Sequence, residues 1–191
     1  VKAVDVPVTV KFRTGWDEEH INAVEFAKIA ESCGASAVCV HGRTARQMYS
    51  GRANREIIAN VKQSVKIPVF ANGDIFCAKD ALDMFADTGA DGIAIARGAL
   101  GNPWIFSEVF SALRGESYTS PSLSDRLDTA VRHIERAVEL KGEHIGMLES
   151  RKHMGWYIKS IPHAKKYRTK INLLSHLCEL YELTDNIKSE F

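Results

Sequence analysis

Long apolar runs are missing from this sequence. None of its 191 residues lies in a stretch approaching the roughly 18 consecutive apolar residues that a membrane-spanning helix requires. The N-terminal VKAVDVPVTV has neither an extended apolar segment nor a small-residue cleavage site, so no secretion signal is legible. These absences lead us to expect a soluble, cytoplasmic protein with no membrane partner. Cysteine is scarce: Cys33, Cys39, Cys77 and Cys178 are the only four, and no pair has C-x-x-C spacing. That argues against a disulfide framework or a zinc site, and the apolar neighbours of each thiol predict reduced, core-packed cysteines and no metal centre. Low-complexity tracts are also absent.

What is present is an ordinary globular balance, 45% hydrophobic and 26% charged. Four short runs are rich in β-formers: VPVTVKF (Val6 to Phe12), SAVCVH (Ser36 to His41), IPVFAN (Ile67 to Asn72) and GIAIAR (Gly92 to Arg97). Each is too continuously apolar for a strand with one wet face. Helical patterns separate them, marked by Val24, Ala27, Ile29 and Ala30, by Ile57, Ile58 and Val61, and by Ala78, Ala81, Leu82 and Phe85. Gly34 and Gly89 stand where two of these helices would end. Strands and helices alternating at about 30-residue spacing are βαβ units, which require a parallel sheet with right-handed crossovers. Beyond Gly115 the strand signal stops. The turn-rich GESYTSPSLSD leads into a helix with Leu127, Ala130, Val131, Ile134 and Val138 on one face, capped by Ser122 or Ser124. Two more helical stretches are expected, from about Leu148 to Ile161 and from Ala164 to Leu183. The chain therefore divides near Tyr118 into an α/β region, 1–118, and an all-α helical domain, 119–191.

The exits of the strands carry the chemistry. Lys11, His41, Asn72 with Asp74, and Arg97 recur at comparable intervals, so parallel strands would gather them at one carboxyl end, where such sheets and barrels build ligand sites. Lys11, His41 and Arg97 are donors suited to an anionic or carbonyl-rich ligand. Arg97 and the glycines of ARGALGN suit a phosphate, through a guanidinium and exposed backbone N–H groups. Gly73 would let backbone approach a ligand closely.

Five segments, VTVKFRTGW, VHGRT, FANGDI, ADGIAIARGALGNPWIF and RKHMGWYIK, in that order resemble the second half of bacterial tRNA-dihydrouridine synthases. The resemblance spans essentially the whole chain. It implies a flavoprotein with a TIM-barrel catalytic domain followed by a helical tRNA-binding domain, the strands here being the fifth to eighth, half of a TIM barrel. It further implies that Lys11 contacts the flavin ring of FMN and His41 the cofactor and pocket. Asn72, Gly73 and Asp74 would meet the ribityl and phosphate region, and Ala96, Arg97 and Gly98 the phosphate. The implied reaction reduces the C5–C6 double bond of a uridine in tRNA: NADPH reduces FMN, hydride passes from flavin N5 to C6, and a protein acid protonates C5. The base would have to leave its stack to present its face. A cation at Lys11 would stabilise the negative charge of the reduced ring.

The family's general acid is a cysteine in an N-x-x-C-P context, and none of the four cysteines stands in one. No catalytic residue is therefore assigned within this chain. Four βα units where the barrel needs eight, in a chain that begins at Val1 without Met, read as a fragment of a longer protein. Its bare edges at VTVKF and GIAIA would recruit the missing N-terminal half-barrel or a second copy of the chain. Acidic residues are wholly absent from Arg151 to Lys170, which hold seven of the chain's 25 Lys and Arg. That segment fits a phosphate-backbone footprint, with Arg151, Lys152, His153, Lys159, Lys165, Lys166 and Arg168 as candidate tRNA contacts and Trp156, Tyr157 and Tyr167 as core. Two other functions stay open: an FMN-dependent barrel reducing free pyrimidines, its helical tail a dimerisation bundle, and a non-enzymatic RNA-binding fragment.

Overall fold

The computed structural model describes residues 1–191 and falls into two units, Val1–Gly98 with Ile105–Ser117, and Ala99–Trp104 with Tyr118–Phe191. In the first, strands β1 (Thr9–Arg13), β2 (Ala37–His41), β3 (Val69–Asn72) and β4 (Gly92–Ala94) pair in parallel in the order β1-β2-β3-β4. Helices α1 (Ala23–Ser32), α2 (Arg55–Ser64), α3 (Ala78–Thr88) and α4 (Ile105–Leu113) follow the strands in turn, and each packs on the next. A doubly wound sheet reverses its strand order at a switch point; here the order is serial and so is the helix packing. That arrangement is a partial TIM barrel.

Strands β1 and β3 are shorter than the apolar runs that predict them. Pro7 and Pro68 precede them, and proline has no N–H to give to a ladder. Helix burial also differs in detail. Ala23, Ala27 and Ala30 form the buried stripe of α1, and Ala81 and Met84 that of α3, while Ile29 and Leu82 point to solvent. The small residues recur at helical spacing, and Ile29 falls off their stripe. At the two ends of the helix row, α1 exposes Phe26 and Ile29, and α4 exposes Phe106 (54%), Phe110 (59%) and Leu113 (48%), the last three on one helical face.

The second unit is helical: α5 (Leu123–Lys141), α6 (Glu143–Tyr157), α7 (Ala164–Ile171) and α8 (Leu177–Glu190). Ser122, not Ser124, caps α5. Its hydroxyl accepts from the Asp125 N–H, and the Asp125 carboxylate accepts from the Ser122 N–H. The helix expected from Ala164 to Leu183 is in fact two, because Glu179 accepts the N–H groups of Ser175 and His176 and starts α8 afresh. Helix α6 begins earlier than Leu148, at Glu143. Leu127, Ile134, Met147, Met154, Ile158, Tyr167, Ile171, Leu180 and Ile187 share one buried core. No helix of the chain is long and apolar enough to cross a membrane.

The cysteines correct an expectation. All four are unpaired, but Cys33 and Cys178 are exposed and Cys39 and Cys77 only half-buried, so none is a core residue. Cys33 and Cys77 sit at helix ends, beyond α1 and ahead of α3, where apolar neighbours in sequence do not ensure burial in space.

Candidate functional site

Register decides which side chains meet at the carboxyl end of the sheet. Arg13, His41 and Asn72 are direct neighbours across β1, β2 and β3, and Asn72 aligns with Ala94 of β4. Lys11 pairs with Cys39, one layer deeper on the same face, because side chains alternate along a strand. The residue level with His41 is thus Arg13, and Lys11 lies beneath it, a correction to placing Lys11 at the strand exit. Arg97 follows β4 in a 3-10 turn, Arg97–Ala99. The expected residues nevertheless gather: Lys11, His41, Asn72, Gly73, Asp74, Ala96, Arg97 and Gly98 line one cleft of about 170 Å³, joined by Arg13, Tyr49 and Phe76.

Asp74 sits at the hub of its polar contacts. Its φ of +50° is a left-handed conformation uncommon outside glycine. Arg43, only 2% exposed, donates from Nη1 to Asp74 Oδ1 at 2.8 Å and from Nη2 to Oδ2 at 2.7 Å. The Ala53 N–H donates to Oδ2 at 2.8 Å, and Arg97 Nη2 to Oδ1 at 3.0 Å. Arg43 also holds the carbonyls of Ser50 and Gly51. Burial by itself would raise the Asp74 pKa. The hydrogen bonds from Arg43 and Ala53, with the charges of Arg43 and Arg97, outweigh burial and hold the carboxyl below its ordinary value.

The Arg97 guanidinium lies 4.5 Å from the centroid of the Tyr49 ring and 5.4 Å from that of Phe76, within cation–π range of both. His41 is neutral at physiological pH: loss of solvation first, then the charges of Arg13, Lys11 and Arg43, lower its pKa from 6.5 to about 4, against the opposing pull of Asp74. Asn72 donates its side-chain amide to the Ala94 carbonyl at 2.7 Å, tying β3 to β4 at the rim. Lys11, Arg13 and Arg97 therefore face the cleft against one carboxylate that is already paired. Such a surface attracts anions.

Two glycines shape the rim. A Cβ on Gly73, whose φ is +131°, would stand 2.7 Å from the Ala53 Cβ and 3.2 Å from His41 Cδ2. A Cβ on Gly98 would stand 2.1 Å from the Ile75 carbonyl oxygen. In both places the contacts that demand glycine are within the protein, where they press the β3 exit against its neighbours.

The basic segment of the helical unit sorts into two groups. Lys152, Lys159, Lys165 and Arg168 are exposed and make no ion pair, Lys152 lying 5.2 Å from the Trp156 ring centroid. Arg151 instead donates from Nε to the Leu174 carbonyl at 2.8 Å, and Lys166 pairs with Glu190 at 3.2 Å. His153 is half-buried against the rings of His133 and Trp156, at 4.8 Å and 5.1 Å between centroids. Burial first, then the His133 and Lys152 charges, lower its pKa, so it adds no cation at neutral pH. Tyr157 and Tyr167 are buried.

A family model described as Dihydrouridine synthase (Dus) matches residues 1–191. This chain belongs to the dihydrouridine synthase family. It is 46% identical over 176 residues to a probable tRNA-dihydrouridine synthase of Rickettsia conorii, covering 92% of this chain and 53% of that protein. It is 45% identical over 175 residues to tRNA-dihydrouridine synthase B of Pseudomonas aeruginosa, covering 91% and 53%. The chain thus spans about half the length of the curated relatives it matches. Among solved structures, mandelate oxidase with benzoyl-formic acid overlaps 96% of this chain and 69% of its own, at 18% identity and a TM-score of 0.41, too loose a likeness to build on.

The sequence did not single out three residues that line this cleft, Arg13, Tyr49 and Phe76, or Arg43, which braces Asp74 from behind it. Arg13 was within reach, since VKFR places a second cation two residues after Lys11, on the same strand face. Arg43 stands in the VHGRT segment, but nothing in the sequence pairs it with Asp74. Tyr49 and Phe76 lie on loops whose paths only the fold reveals.

Proposed function

We propose that this chain is the carboxyl-terminal half of an FMN-dependent tRNA-dihydrouridine synthase, with barrel strands five to eight in residues 1–118 and a tRNA-binding helical domain in 119–191. The observation that carries the reading is the cationic cleft at the carboxyl end of the parallel strands. Its donor set fits a phosphorylated flavin: three outward cations, a neutral imidazole and no uncompensated carboxylate. Family membership narrows the class of reaction.

Bound FMN would supply hydride for the C5–C6 double bond of a uridine, with NADPH as the reductant that restores it. Arg97 binds the phosphate; Lys11, deeper on the sheet face, sets positive charge beneath the ring. His41, uncharged above about pH 4, offers a hydrogen bond without adding a cation. The family's general acid is a cysteine by resemblance; none of the four here lines the cleft, and we assign it to the half of the relatives' length that this chain does not span. The same part closes the barrel. A cleft of 170 Å³ is smaller than the roughly 300 Å³ or more of most ligand sites. Strands β1 and β4 each lack one neighbour, and the end helices expose Phe26, Ile29, Phe106, Phe110 and Leu113. Relatives about twice as long supply enough chain to cover these surfaces.

Exposed, unpaired Lys152, Lys159, Lys165 and Arg168 carry the tRNA contact, and Arg151, Lys166 and His153 support it from structural positions. The proposed tRNA substrate fits a cytoplasmic protein. The test is to purify the complete polypeptide that contains this chain, record its visible spectrum and supply NADPH and unmodified tRNA. Flavin absorption and dihydrouridine formation are expected; a colourless protein that takes up no added FMN would refute the reading.

A further inference from the structure

The Arg43–Asp74 pair has a consequence for how the cleft holds an anion. A carboxylate offers about four lone-pair sites. Asp74 receives four N–H groups: Arg43 Nη1 and Arg97 Nη2 on Oδ1, Arg43 Nη2 and the Ala53 amide on Oδ2. It has no acceptor capacity left for a ligand hydroxyl. Arg97 is in the opposite condition. A guanidinium carries five N–H donors, and the bond to Asp74 from Nη2 is the only one Arg97 makes with the protein.

The setting of Arg97 is also braced on both sides. Tyr49 and Phe76 lie within cation–π distance of it, and Arg43 holds the carbonyls of Ser50 and Gly51 in the loop that carries Tyr49. One buried guanidinium thus fixes both the carboxylate that aims Arg97 and the loop that flanks it. An exposed arginine would lose much rotamer freedom on binding; this one has already lost it, which favours affinity for a planar, bidentate partner.

We infer that the Asp74 carboxylate is a positioning group and not a cofactor ligand: braced by Arg43, it fixes the Arg97 guanidinium so that its unused N–H groups meet a phosphate monoester. The inference rests on the reading of this cleft as an FMN site. A carboxylate aimed at a cation is here a device for anion binding, although its own charge opposes the anion.

The test uses the complete polypeptide freed of flavin, with FMN and riboflavin affinities read from flavin fluorescence for wild type, Arg97→Ala and Asp74→Asn. Arg97→Ala should weaken FMN by about tenfold or more and riboflavin by no more than about twofold. Asp74→Asn should show the same selectivity, because the phosphate is lost from its clamp while the rest of the flavin is untouched. Equal weakening of FMN and riboflavin by Asp74→Asn would make Asp74 a ligand of the ribityl chain and overturn the inference. Tighter FMN binding would make it only an opposing charge and would overturn the inference as well. If Arg97→Ala fails to discriminate FMN from riboflavin, the phosphate assignment beneath the inference falls instead. Should Asp74→Asn not fold, as thermal melting would reveal, Arg43→Lys keeps the charge but not the fork, and the same selective loss is required of it.

Discussion

Lowering the pH from 7 to 5 should weaken the α/β unit through His41, by an amount its surroundings set. In an unfolded chain histidine titrates near 6.5; in the fold, loss of solvation and the charges of Arg13, Lys11 and Arg43 bring His41 to about 4. At pH 5 the unfolded imidazole is almost fully protonated and the folded one almost fully neutral, so proton uptake favours unfolding. The contribution is intact above about pH 6.5, declines as pH falls through that value and is fully lost below about 4. Linkage over this interval gives a loss of about 2 kcal/mol between pH 7 and pH 5. Urea unfolding of wild type and His41→Gln at the two pH values isolates the effect, since titrations shared by both proteins cancel in the difference. The wild type should lose about 2 kcal/mol more than the variant. Equal losses, or an imidazole NMR titration of His41 centred near 6.5, would refute the assignment of His41 as a neutral, desolvated member of a cationic cleft.

Alanine at Lys165 and Arg168 together should lower tRNA affinity and reduce the salt slope of log K by about 0.9 for each phosphate that the variant no longer neutralises. Lys166→Ala should act more weakly than Lys165→Ala, because Lys166 already pairs with Glu190; equal effects of the two single variants would dismiss that distinction. Gly98→Ala forces a Cβ to within 2.1 Å of the Ile75 carbonyl oxygen. It should destabilise the protein by about 1–3 kcal/mol and release FMN more readily, measured by urea midpoint and by flavin retained on gel filtration. An unchanged midpoint would show that the turn after β4 yields more easily than its close packing indicates.

Alternation of apolar runs with helical patterns made the parallel βα architecture legible, because parallel strands built for two covered faces are apolar throughout, although β1, β4 and Phe70 of β3 are not fully buried within this chain. Family resemblance came from five short segments, four of them at strand exits, and all eight cofactor candidates named from those four line one cleft. Other features were not legible, for definite reasons. Ile29 and Leu82 carry the right hydrophobicity for a core but lie off the stripe of small residues along which these helices bury. The break before α8 depends on Glu179 accepting the N–H groups of Ser175 and His176, a choice between helix and cap that composition leaves balanced. Among the basic residues, charge alone did not distinguish exposed Lys165 from Lys166, which has a partner on a distant helix.

Residue chemistry therefore settled what kinds of group this chain could offer: cations and an imidazole near strand ends, and a helical stretch free of acid. Which of them face a ligand was decided by packing. Strand register put Arg13 level with His41 and Lys11 beneath it, and long-range pairing turned Asp74 inward onto Arg43 and Arg97. Local sequence encodes the propensity of each element, whereas contacts between residues distant along the chain depend on the register and direction in which those elements meet.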